Sequence, residues 1–265
     1  MSDLDTSTSL VSLSIDGHVA TIRLERPQAL NAISGALADE LAATARDVAS
    51  NNDVWVVILA AAGEKAFCVG ADLKERAGFT LDDYHANRKQ VRGVFEALRA
   101  IPQPTIAAVF GFALGGGCEL ALSCDLIVAA ERTQLGLPEA RVGLLPAGGG
   151  TQLLTRKLGP ARAKELIFTG GRFSAEDGHR WGLVARVVPF EDLDRAATEL
   201  AIEISKSSPT AVREAKRSVD SALGVPIDEG IEIENDAWRV VIETEDRREG
   251  IAAFNEKRAP EWKNR

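Results

Sequence analysis

The stretch TIAAVFGFALGGGCELALSCDLIVAA, residues 105–130, decides the fold class. Thr105 to Phe110 is an unbroken apolar run too short for a helix, which predicts a strand covered on both faces. Gly115-Gly116-Gly117 then opens a short helical pattern over 117–123, and Asp125 to Ala130 predicts a second covered strand. Working outward, Val54 to Leu59 has the same strand character. Upstream, Val11, Leu13 and Ile15 alternate with polar residues, Asp16-Gly17 supplies a two-residue turn, and Val19 to Leu24 returns as a hairpin partner. Pro27 ends the hairpin. Ile33, Leu37, Leu41, Thr44 and Val48 recur at helical spacing behind Ser34 as N-cap. Val91, Val94, Phe95, Leu98 and Ile101 form another apolar stripe, closed by Pro102-Gln103-Pro104.

Downstream, a helix over 151–158 ends at Gly159-Pro160, Ser174 and Asp177 resemble a capping box, and Gly182 stops the helix that follows. From Asp192 onward the pattern is helical, punctuated by Pro209 and Pro226. The expected organisation is a β/α core over 1–195 and an all-helical region over 196–265. No repeat of fixed length and no low-complexity linker divides them.

The chain has 265 residues, 45% apolar and 26% charged, the balance of an ordinary globular protein. A net charge of -8 argues against general affinity for nucleic acid or anionic membrane. The polar start from Met1 to Ser9 lacks the features of a signal peptide, and no apolar run is long enough to span a bilayer, so a cytoplasmic location is expected. Cys68, Cys118 and Cys124 include no CxxC and read as reduced thiols. His18, His85 and His179 are isolated, so no metal site is expected.

Two glycine clusters, Gly115-Gly116-Gly117 and Gly148-Gly149-Gly150, each open a helix and let backbone N–H groups approach a ligand. Leu120 and Leu153 occupy the last glycine position of G-x-G-x-x-G, and no G-x4-G-K-[S/T] occurs, which removes both nucleotide loops. What remains is either a tight turn or a cradle for a developing oxyanion, as acyl thioester chemistry requires. Glu119 lies just after the first cluster, in the opening turn of an otherwise apolar helix. Glu139 follows Pro138 in a loop of small and apolar residues. Each alone reads as a dipole-complementing or solvated carboxylate. Together, beside glycine-rich loops and without a metal, nucleophilic cysteine or histidine pair, they point to general acid–base work. No G-x-S-x-G is present, and Ser123, Cys118 and Cys124 read as structural.

At this point the residues resemble a known family. Residues 26–32 (RPQALNA), 67–75 (FCVGADLKE), 113–120 (ALGGGCEL), 137–139 (LPE), 146–152 (PAGGGTQ) and 254–258 (FNEKR) look like the enoyl-CoA hydratase/isomerase (crotonase) superfamily, in order and spacing along nearly the whole chain. The resemblance implies an α/β fold: a crotonase-type spiral of β-β-α turns, then a helical C-terminal region that builds trimers, often paired as hexamers. It implies that the N–H groups of Ala71 and Gly116 hold the thioester oxygen. It further implies that Glu119 and Glu139 grip one water, Glu119 assisting hydroxyl transfer to the β carbon and Glu139 exchanging the proton at the α carbon. Coenzyme A would be part of the substrate, with no separate cofactor. Gln28, Leu30, Asp72, Leu73 and Lys74 would lie along it, with Phe254 and Lys257 reaching it from the last helix.

Two departures stand out. Gln28 replaces a frequent lysine, leaving Arg26 as a substitute for the phosphates, and Ala147 replaces a glycine whose N–H helps position the water. Residues 70–76 (GADLKER) and 163–170 (AKELIFTG) are similar to the methylglutaconyl-CoA hydratase branch, some members of which bind RNA; the acidic balance here and the lack of a basic helix argue against that activity. A Δ3,Δ2-enoyl-CoA isomerase using Glu139 alone is the competing reading. The acyl pocket is expected within 75–101, a segment that contains Phe79, Tyr84 and Phe95.

Overall fold

The computed structural model describes residues 9–265; most of the segment Met1 to Ser9 lies outside it. Its ten strands form two sheets. The first has the order β1 (Val11–Asp16), β2 (Val19–Leu24), β3 (Val56–Ala61), β5 (Thr105–Val109), β7 (Leu126–Ala130) and β10 (Arg186–Val188). The second holds β4 (Ala66–Cys68), β6 (Phe112–Leu114), β8 (Gln134–Gly136) and β9 (Arg172–Ser174). Each of β3, β5 and β7 is parallel to the next in the first sheet, and each is followed at once by a short strand of the second. The repeat is therefore strand, short strand, helix: β3-β4 leads to α2 (Leu73–Arg76) and α3 (Leu81–Arg99), and β5-β6 leads to α4 (Gly116–Leu122). This is the expected β-β-α spiral.

Every residue of β3 and β5 is buried, as their unbroken apolar runs predict. The helix α1 (Gly35–Ser50) starts where Ser34 accepts a hydrogen bond from Leu37 N, as its sequence predicts, and packs on α3. The 137–169 segment adds α5 (Gly150–Leu158) and α6 (Pro160–Thr169), and Ser174 caps α7 (Ala175–Arg180).

Two sequence expectations shift. Asp16 pairs with Val19, so the hairpin turn is Gly17-His18, not Asp16-Gly17, with Gly17 at φ 55° supplying the left-handed residue. Leu13 and Ile15 alternate as a strand should but stay exposed, because β1 is an edge strand that is uncovered on both faces beyond Val11. The helical region also divides differently. The helix α8 (Leu193–Ser205), which contains the 195/196 boundary, lies against β3, β5 and β7 as part of the core. The outlying helices are α9 (Pro209–Ser221), α10 (Ile227–Ile242) and α11 (Glu245–Glu256). Lys216 moors α9 to the core through the Ile101 and Gln103 carbonyls and an ion pair with Asp125 at 2.8 Å. Among the described residues no helix is long and apolar enough to cross a membrane.

Candidate active site

The site forms where three segments of the spiral are stitched together. Ile33 N donates to Gly70 O at 2.8 Å, and Asp72 N donates to Ile33 O at 3.0 Å. In this parallel bridge the bonds are made by the peptides flanking Ala71, so the N–H of Ala71 itself points the other way. Beside it lies the start of α4, where the N–H of Gly116, as the first helical residue, has no intrahelical acceptor. Neither N–H finds another acceptor among the described residues. The approach is close enough to demand glycine next door: a Cβ on Gly117 would collide with the Cys68 carbonyl. The two N–H groups expected to hold a thioester oxygen thus belong to adjoining segments, a Cβ on Gly70 falling 3.0 Å from Gly116 N.

They open onto a cavity of about 480 Å³ whose lining includes Ala71, Gly116, Glu119, Glu139 and Ala147. Glu119 projects from α4 and is almost wholly buried. Its Oε1 accepts from Gly148 N at 2.7 Å and Gly150 N at 2.8 Å, which ties it to the second glycine cluster. A Cβ on Gly148 would come within 2.5 Å of the Phe95 ring and 2.7 Å of Glu119 Oε2. The two clusters therefore do different work: 115–117 supplies the free donor, and 148–150 clamps the carboxylate. Arg99 supports the clamp from outside, donating to Gly148 O at 3.1 Å.

Glu139 enters from the 3-10 turn Pro138–Val142, and its buried Oε2 has no hydrogen-bond partner among the described residues. Burial pushes the Glu139 carboxyl up to about 7, and the nearby charge of Glu119 adds to the rise against a bond from its own backbone. Burial also raises Glu119, but the N–H groups of Gly150 and Gly148 and the positive charge of Arg88 pull it back. The two carboxyls are thus held in unlike environments, Glu119 among backbone N–H donors and Glu139 with an unpartnered buried oxygen.

The other expected contacts divide. Leu73 lines the cavity, as do Tyr84 and Phe95 of the expected acyl segment, whereas Phe79 stacks edge-on against Tyr84 outside it. Arg26 and Asp72 are turned to each other at 2.6 Å; Arg26 also holds Ala32 O, and Asp72 caps α2. That pairing commits the charge expected to replace the missing lysine. Gln28, Leu30 and Lys74 are exposed, the first two in and just after the turn Pro27–Ala29 and the third in α2. Phe254 is 83% exposed, and neither it nor Lys257 lines the cavity of its own chain. Sequence reasoning missed Arg76, Arg88 and Arg141, which line the cavity. It also missed Asn31, fully buried, whose side chain binds Arg26 N, Ala62 O and Ala66 O and so fixes the loop. Among the described residues no cluster of His, Cys, Asp and Glu could hold a metal ion.

Known proteins share this fold and much of this sequence. The model of the family described as enoyl-CoA hydratase/isomerase matches residues 14–265. The crystal structure of enoyl-CoA hydratase from Bacillus anthracis superposes with a TM-score of 0.94 at 44% identity, covering 97% of this chain and 100% of that one. The enoyl-CoA hydratase structure from Mycobacterium tuberculosis H37Rv gives a TM-score of 0.87 at 34% identity, covering 97% and 100%. Human enoyl-CoA hydratase domain-containing protein 2, mitochondrial, is 43% identical over 251 residues, 93% of this chain and 86% of its own. With the match running from the first hairpin to the last residue, the chain belongs to the enoyl-CoA hydratase/isomerase family of the crotonase superfamily.

Proposed function

We propose that this enzyme adds water across the 2,3 double bond of a 2-enoyl-CoA thioester. The observation that carries the reading is the meeting of two carboxyls in unlike surroundings and two unused N–H donors at one cavity. In this reading the thioester oxygen accepts from Ala71 and Gly116, which stabilise the enolate as it forms. Ionised Glu119 takes a proton from the water whose oxygen bonds to the β carbon. Protonated Glu139 gives its proton to the α carbon, and the pair then shares the remaining proton. The N–H of Ala147, beside the clamp, is available to orient that water. The coenzyme runs from the cavity past Leu73 toward Leu30 and Lys74.

The test is an absorbance assay of purified protein. Crotonyl-CoA is expected to lose its conjugated-enoyl absorbance faster than a 3-enoyl-CoA is isomerised. Double-bond migration without hydration would replace this reading with that of an isomerase.

We also propose a homotrimer, single or paired as a hexamer. Ile227, Trp238 and Phe254 on the outlying helices are 76%, 60% and 83% exposed, a cost in water that a neighbouring copy would remove. Phe254 and Lys257 are then free to serve a neighbour's coenzyme. Light scattering at micromolar concentration is expected to give at least three chains per particle; a monomer would overturn the proposal.

A further inference from the structure

We propose that Arg99 is a positioning residue for Glu119: by holding the Gly148 carbonyl outward, it keeps the Gly148–Gly149 peptide turned with its N–H toward the carboxylate. The inference rests on Glu119 acting in the reaction, as read above. Three consecutive N–H groups serve that carboxylate. Those of Gly148 and Gly150 donate to Oε1, and that of Gly149, between them, also draws Glu119 down. The peptide that carries the Gly149 N–H is the one with least to hold it. It joins two glycines, and Gly149 stands at φ 124°, a conformation that only glycine adopts readily. A half-turn of this peptide would carry Gly149 to about −56°, the ordinary helical region, and swing the Gly148 carbonyl toward the Glu119 carboxylate.

What resists that half-turn lies outside the cavity. Gly148 O accepts from Arg99 Nη1 at 3.1 Å and from no other donor among the described residues. The next carbonyl, Gly149 O, is by contrast anchored by Gln152 N at 2.9 Å and Leu153 N at 2.8 Å. A Cβ built on Gly149 would stand 3.3 Å from Arg99 Nη1, so the guanidinium lies against the turn itself. Glu96, the acid nearest to Arg99 along α3, is paired with Arg92. Burial holds Arg99 below the usual arginine range, and Glu119 is among the charges that pull it back. A cation thus sits at the negative end of a peptide dipole whose positive end faces a carboxylate, and bonds in such a chain strengthen one another. The other charged groups bearing on Glu119 are Arg88 of α3 and Glu139. Its chain neighbour Cys118 stays a neutral thiol, because burial pushes it far above the usual thiol range.

The test follows the Glu119 carboxyl carbon by carbon NMR in protein isotopically labelled at glutamate, its signal identified by absence from Glu119→Gln. In Arg99→Met the midpoint of its titration is expected to move to higher pH, because a carbonyl then competes for the place of a donor. Arg99→Lys, which keeps a cationic donor, should return the midpoint most of the way. With crotonyl-CoA, Arg99→Met should lower kcat about tenfold, the scale of one hydrogen bond to a charged group, with KM little changed. The loss should deepen as pH falls, since more of the raised Glu119 is then protonated. A midpoint left in place would overturn the proposal, even beside a lowered unfolding temperature, because Arg99 would then only brace the turn. So would an unchanged kcat in a protein that hydrates crotonyl-CoA. A shifted midpoint in a protein that does not hydrate it would remove the hydration reading and leave this one standing.

Discussion

Replacing Gly116 by proline is expected to lower hydration of a 2-enoyl-CoA by about 10²–10³-fold while the chain stays folded. The substitution is selective because of where Gly116 stands. As the first residue of α4 it occupies the helical position that tolerates proline best, since its N–H has no intrahelical partner to lose. What proline deletes is the donor beside Ala71. Gly116→Ala is the matched control: its Cβ would meet Ile33 Cδ1 at 3.1 Å, a side-chain atom that can shift, and its N–H is kept. Turnover should fall steeply for proline and far less for alanine, with similar thermal unfolding. Full activity in a folded proline variant would remove Gly116 from the oxyanion hole.

Glu119→Gln and Glu139→Gln are each expected to lose at least about 10²-fold in hydration, and the double variant little more than either alone. Glutamine keeps shape and hydrogen bonding but removes the titrating proton. If one water is handled by both carboxyls, losing either breaks the same relay, so the losses do not add. Because the Glu139 carboxyl is pushed up to about 7, the proton it donates is present below that pH and is lost above it. The rate of hydration should therefore fall as pH rises past about 7, an apparent value that belongs to the pair. Glu139→Gln should abolish that limb along with the activity. An isomerase would behave differently, with Glu119→Gln retaining most double-bond migration. Near-normal hydration by a folded Glu119→Gln variant would refute the paired mechanism.

Much of this molecule was legible in its sequence because long elements repeat their signals. Helix α1 announces itself through Leu37, Leu41 and Val48 behind the Ser34 cap, and β5 through five consecutive buried residues. The second sheet was not legible. Its strands β4, β6, β8 and β9 are three residues each, too short to show alternation, and β6 runs directly into the glycine cluster. The first half of α3 was missed because Asp82, Asp83, Asn87 and Lys89 mask its period, although Thr80 and Asp83 form a capping box. Glu119 and Glu139 stand out because their neighbours are unusual: an apolar helix around one and a glycine-rich approach to both. Arg76 and Arg88 were missed for the opposite reason, since arginine on a polar helix is ordinary until the fold turns it toward a cavity.

The clamp on Glu119 has a consequence for how such a protein changes over generations. The carboxylate assigned to the reaction is also the acceptor for two N–H groups at the start of α5. A lineage that abandons hydration therefore gains no freedom to place any residue at 119. An apolar replacement would strand the Gly148 and Gly150 donors in a dry interior, a debt of roughly 1–3 kcal/mol each. Descendants with a different reaction should keep an oxygen-bearing side chain at 119, or carry a compensating acceptor near the 148–150 turn. Architecture here would preserve the Glu119 carboxylate whether or not its chemistry is still selected.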